Sequence, residues 1–264
     1  MQQYPTGGAP YDSYAPAPAA ASQPAAQRLL GSRIRRSGRK SRIKRPAAPP
    51  PIGPLPLGER PLVRLPRLFA GLALYGFSLA LLVRAALGAN PWSVLYEGLA
   101  RHTALSFGAI SAVLGVLVLL LWVPLRQRPT FGTLANIVVL ACSSDLGLWL
   151  LPAEVGTAGR VGLLVAGVAL NALAVAVYVG ARCGPGPRDG LMTGLAARTG
   201  RSLRAVRTGI ELTVLALGWL LGGSVGPGTV LYALAVGPLT QLALPWCAYR
   251  SATERAPARA AGTA

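Results

Sequence analysis

Residues 88–106 read GANPWSVLYEGLARHTALS, and residues 184–202 read GPGPRDGLMTGLAARTGRS. The two stretches lie 96 positions apart and align without a gap. Gly88, Pro91, Leu95, Gly98, Leu99, Ala100, Thr103, Ser106 and Ala109 fall on Gly184, Pro187, Leu191, Gly194, Leu195, Ala196, Thr199, Ser202 and Ala205. The match continues both ways: Ala70, Gly71, Ala73 and Leu74 fall on Ala166, Gly167, Ala169 and Leu170, and Gly132 and Thr133 on Gly228 and Thr229. A unit of this length is too long for a solenoid repeat. In an apolar chain it points to the duplicated halves of a membrane protein.

The composition is apolar enough. The 264 residues are 52% hydrophobic with a mean hydropathy of +0.47, and only 13% are charged, against ~25% in soluble domains. Net charge is +18, unevenly placed: eleven of the 26 Lys and Arg lie between Arg28 and Arg64. Cys142 and Cys247 sit in apolar stretches and Cys183 in a Gly/Pro turn; an odd number of cysteines makes no obvious disulfide framework. The sequence carries no nucleophile elbow, phosphate loop or metal-ligand spacing. No enzymatic activity, cofactor or metal is expected. Residues 1–27 are rich in Pro, Ala, Gln and Ser, and no apolar core of signal-peptide type precedes Leu68.

Apolar runs occur at about 68–83, 104–125, 130–151, 161–181, 205–222 and 228–249. A span needs ~20 apolar residues. The first run is short, with Arg67 and Arg84 extending it by snorkelling. The fifth is the weakest, because Arg204, Arg207 and Glu211 intrude on its first turns. Trp122, Trp149, Trp219 and Trp246 fall near span ends, as interfacial aromatics do. The expected fold is an all-α polytopic membrane protein with six transmembrane helices over 67–249. Placing both termini in the cytoplasm puts 23 Lys and Arg inside and leaves Arg84, Arg101 and Arg160 outside, as the positive-inside rule requires. Each unit, about 67–153 and 160–249, holds three spans. An odd number inverts the second unit relative to the first. Residues 1–66 and 250–264 are expected to be disordered cytoplasmic tails. The basic tail, with nine Lys and Arg in residues 28–45, suits anionic lipid headgroups and lacks the aromatic interleaving of a nucleic-acid binder.

Between the first two spans of each unit lies the best-matched block. Asn90 followed by Pro91 is a helix opening, with Asn as N-cap and Pro at the first helical position; Gly186 and Pro187 repeat the device. About twelve residues follow, reaching ~18 Å, too short to cross. Two readings stand. Each helix lies flat at the interface, with Val94, Leu95 and Leu99 facing lipid and Ser93, Glu97 and Arg101 facing water. Or each is a re-entrant half-helix whose N-terminal dipole points at a central site, so that Asn90, Pro91, Trp92, Gly98, Gly186, Pro187 and Gly194 form two mouths. Gly98 and Gly194 suit close packing under either, as do the matched Gly132, Thr133, Gly228 and Thr229.

Polar residues within spans are functional candidates. Asp145, matched by Gln241, is either a proton or cation site or a packing residue satisfied by hydroxyls; Asn136 and Ser144 could share its surroundings. Glu211 follows Arg207 by four residues, the spacing of a helical ion pair, and is otherwise a coupling carboxylate. His102 reads as a solvated loop residue.

The runs LGANPWSVLYEGLA (87–100), LSFGAISAVLGVLVLLL (105–121) and PTFGTLANIVVLACSSDLGLWL (129–150) resemble the YczE-like bacterial membrane proteins related to the YitT group, over about residues 65–249. The second half keeps the turn at Gly184–Pro187 and the Pro227–Thr229 run, and departs where Arg188 and Asp189 replace Trp92 and Ser93. The resemblance implies a bacterial plasma-membrane protein and supplies no substrate. Two functions fit: a permease or facilitator for a small solute, with Asp145, Glu211 and Asn136 along its path, and a membrane scaffold that partners a cytoplasmic enzyme system. The positions where the halves differ, Trp92/Arg188, Ser93/Asp189 and Asp145/Gln241, are the first places to look.

Overall fold

In the computed structural model residues 53–251 are described, and among them the chain forms eight helices and no strand. These are α1 (Pro61–Ala85), α2 (Pro91–His102), α3 (Phe107–Leu120), α4 (Phe131–Leu150), α5 (Thr157–Gly180), α6 (Pro187–Thr199), α7 (Leu203–Leu220) and α8 (Pro227–Cys247). α5 to α8 begin at 157, 187, 203 and 227, each 96 residues after the start of α1 to α4.

The local devices repeat at the same interval. Ser106 and Ser202 accept from the backbone N–H of Ala109 (3.1 Å) and Ala205 (3.3 Å), capping α3 and α7. Ala86 and Arg182 turn the chain out of α1 and α5 at φ 51° and 56°, and Gly88 and Gly184 follow at φ 100° and 120°. The left-handed region costs a Cβ-bearing residue energy, so glycine serves the second step of each turn.

Contacts between the two sets of helices also come in pairs. Gly132 donates its N–H to the Cys183 carbonyl (3.2 Å), and Gly228 donates to the Leu87 carbonyl (2.8 Å); both partners shift by 96. α1 crosses α5 where Gly71 meets the Tyr178 backbone and Gly167 meets Leu82. A Cβ on Gly71 would lie 2.6 Å from the Tyr178 nitrogen, so the small residue sets the helix separation. α2 packs on α7, and α3 contacts α6 in turn. One pair breaks the pattern. α3 packs along α4, whereas α8 leans on α5, makes no comparable packing with α7, and buries only Gly228 and Thr229.

α1, α4, α5 and α8 are long and apolar enough to cross a membrane, and α2 with α3, bent by 115°, adds a fifth if the pair is one span. All six apolar runs are helical, but α3 has only 14 residues, ~21 Å of rise, and α7 carries Arg204, Arg207 and Glu211. Leu146, Trp149, Val165, Leu234, Leu242 and Trp246 stand exposed on the helix faces, an arrangement that bilayer lipid accommodates and water does not.

Several expectations are corrected. The first span is not short: α1 extends to Pro61, and residues 53–66 are ordered around Arg64. That side chain is 1% exposed and donates to the carbonyls of Ala181 (3.0 Å), Arg182 (2.7 Å), Pro56 (2.6 Å), Glu59 (3.1 Å) and Leu55 (3.2 Å). It thereby caps the C-terminal end of α5 with a positive charge. Arg84 donates to the Leu148 carbonyl near the end of α4. Trp122 is turned into the protein and not outward. It is buried and donates Nε1–H to the Pro187 carbonyl (2.9 Å). The expectations for residues 1–52 and 252–264, including the basic tail and its lipid headgroups, lie outside the described residues.

Candidate functional site

The two short helices open toward one another. Asn90 caps α2, accepting from the Ser93 N–H (2.9 Å) while its Nδ2 donates to the Ser93 hydroxyl (2.9 Å). Pro91 and Pro187 occupy the first helical positions. The loop before α6 is tied to α4, because the buried Thr133 hydroxyl donates to the Pro185 carbonyl (2.8 Å).

α2 does not present Val94 and Leu95 to lipid. Trp92, Ser93, Val94, Leu95 and Tyr96 are all buried; Val94 and Leu95 meet the close approach of Gly218 on α7 rather than lipid. Gly98 packs against the Gly218 carbonyl and Leu221, and Gly194 against Gln127 and Leu125. Glu97 turns from water to accept the Ser224 N–H (3.0 Å). The physical reason is that α7 lies along α2 and covers the face the flat-lying reading would give to the bilayer.

At the junction lies Arg188. Its guanidinium carbon stands 4.8 Å from the centroid of the Trp92 ring and 5.3 Å from that of Tyr96, and it donates to the Tyr96 hydroxyl. No carboxylate among the described residues lies within ion-pair reach of it. The stack is a cation–π contact, strongest where water is scarce. Next to it, Asp189 accepts from the Tyr178 hydroxyl (3.0 Å), and Tyr178 stacks on Tyr75 with ring centroids 5.8 Å apart. Behind these, Tyr232 donates to Asn171 (2.8 Å), whose Nδ2 donates to Ser78 (2.8 Å).

The candidate residues named from sequence divide sharply. Asn136 belongs here: with Trp92, Ser111 and Arg188 it lines a cavity of about 20 Å³, and with Tyr75, Tyr178 and Asp189 an adjoining one of about 40 Å³. Asp145 lies elsewhere. It accepts from the Ser106 hydroxyl (2.5 Å) and the Gly108 N–H (2.7 Å), so it caps α3, and Ser144 bonds within its own helix. Glu211 pairs with Arg207 at 2.8 Å, with the arginine exposed. His102 faces the Leu221 carbonyl (3.2 Å) on the exposed side. Arg188 stands at one of the positions where the halves differ, which marks it in the sequence. Tyr96 carries no such signal, since only packing brings it under the guanidinium.

An all-helical chain with several apolar, lipid-length helices is a multi-pass membrane protein. It belongs to DUF6198, a family of unknown function, which it matches over residues 62–245. The chain is 38% identical over 177 residues to an uncharacterized protein of Haemophilus influenzae, covering 67% of this chain and 81% of that one. It is 36% identical over 179 residues to the Bacillus subtilis uncharacterized membrane protein YczE, covering 67% and 83%. A second Bacillus subtilis protein, YyaS, is 23% identical over 179 residues. No solved structure matches the chain.

Proposed function

We propose that the protein is a small-solute permease or facilitator of the bacterial plasma membrane, built as two inverted three-span repeats with both termini cytoplasmic. Its path runs between the repeats, past Arg188. The reciprocal bonds of Gly132 to Cys183 and Gly228 to Leu87 support the inverted pair, since exchange of matched partners is what a twofold relation produces. α2 and α6 then act as half-helices with their N-termini at the centre, and α3 and α7 complete the two broken spans. The observation that carries the reading is Arg188 itself. A charge at membrane depth without a carboxylate partner is costly and is kept where a substrate path needs it.

The test is solute flux into proteoliposomes with wild type and Arg188→Gln. Flux that is saturable and lost in the variant supports the permease. Flux equal in both removes Arg188 from the path.

The second reading is a membrane scaffold for a cytoplasmic partner. It is favoured by the smallness of the central cavities, about 20 and 40 Å³, since a scaffold requires no through-path. Co-purification of a stoichiometric partner, with no flux of any ion, would support it.

A further inference from the structure

We propose that the Arg188 cluster is a binding site for a monovalent, halide-sized anion such as fluoride or chloride. The inference deepens the permease reading by naming the substrate class, and it rests on that reading only for transport, not for binding.

Three independent features converge on it. The guanidinium of Arg188 uses one N–H on the Tyr96 hydroxyl and leaves the rest of its fork without an acceptor among the described residues. Trp92 is 7% exposed, lines the cavity, and its indole Nε1–H is buried with no acceptor. Asn136 is 8% exposed, lines both cavities, and its side chain makes no hydrogen bond among the described residues. Buried donors are almost always satisfied, and each one left open costs the desolvation of that group. Of these only the Trp92 Nε1–H is a fully buried donor without a partner; set beside the half-buried Arg188 cation, it points to an acceptor that carries negative charge. The N-termini of α2 and α6 open at the same place and add the positive ends of two helix dipoles.

Size and charge narrow the ligand. A water needs ~10–15 Å³ of such volume, so cavities of about 20 and 40 Å³ admit a monatomic ion and exclude phosphate or an organic acid. The carboxylate of Asp189 lines the larger cavity, held by Tyr178. Its repulsion limits the site to a single negative charge. Ser111 contributes no donor, because its hydroxyl proton goes to the Gly108 carbonyl (2.8 Å). The ion is held by N–H groups, a shell suited to a partly dehydrated halide.

The experiment is a thermal-stability titration of the full chain in detergent with sodium fluoride and with sodium chloride, at ionic strength held constant with gluconate. A ligand that binds the folded state raises the melting temperature saturably. The expected result is such a rise with at least one halide. It is weakened roughly tenfold or more in Arg188→Gln, weakened less in Trp92→Phe, which keeps the ring and loses the N–H, and tightened in Asp189→Asn. A melting temperature indifferent to halide, or a wild-type halide response in Trp92→Phe and Arg188→Gln, overturns the site. If Arg188→Gln does not fold, Trp92→Phe and Asp189→Asn decide by their opposite directions. Halide flux in proteoliposomes separates the two claims: binding without flux removes the permease and leaves the site, whereas flux of another solute without halide binding does the reverse.

Discussion

Arg188 and Trp92 hold matching positions in the two halves, 96 residues apart, and they touch, guanidinium over indole at 4.8 Å. Matched residues in contact mark the place where the halves meet. There one half places an aromatic and the other a cation. The seam is polar where the rest of the match is alike.

This arginine should behave unlike a structural one. Removing it leaves no orphaned carboxylate, and a half-buried charge without an anionic partner adds little to the fold. Arg188→Met is expected to melt within ~1 kcal/mol of wild type or above it, while flux is lost. Detergent melting curves beside proteoliposome flux check the pair of outcomes. A large loss of stability would assign Arg188 to packing instead.

Arg64 is the contrasting case. Its guanidinium meets five carbonyls, including those ending α5, and these lose their donor in Arg64→Met. The expected loss is ~3 kcal/mol or more. Arg64→Lys recovers only part, because an ammonium cannot span the fork. Thermal melting of both variants measures it.

Asp145 is expected to matter for stability and not for transport. Asp145→Asn keeps the shape and weakens the cap on α3, a cost of about 1–2 kcal/mol. Its flux per folded molecule should equal wild type. A selective loss of flux would return Asp145 to the pathway.

Cys183 tests the interlock between the halves. The thiol is buried against Arg64, and burial pushes its pKa above the usual thiol range, with the guanidinium opposing. Little thiolate exists at neutral pH, and alkylation needs thiolate. Reaction with N-ethylmaleimide is therefore expected to be slow in wild type and fast in Arg64→Ala, where the carbonyl cluster loosens. Mass spectrometry of the labelled chain follows both rates.

Much of the architecture is legible in the chain before any coordinates. The Asn90-Pro91 and Gly186-Pro187 openings and the six apolar runs are local signals, because caps and apolar runs act within a few residues. What stays hidden depends on partners distant in sequence. Arg64 reads as one more basic residue of a tail until Ala181 and Arg182 present their carbonyls to it. Asp145 reads equally as an ion site or as a packing residue satisfied by hydroxyls, until Ser106 and Gly108 approach it from α3. Trp122 reads as an interfacial anchor until the Pro187 carbonyl meets its indole. The site itself was half visible. The break between Trp92 and Arg188 marked where the halves differ, yet only packing shows that these residues stand face to face.

The unequal seating of α4 and α8 gives the duplicated chain a memory of which way it is turned. α3 is closed on α4 while α7 stands off from α8, yet both halves carry the same helices in the same order. The duplication therefore fixes which helices each half has, and leaves how tightly they close on one another to the residues that differ.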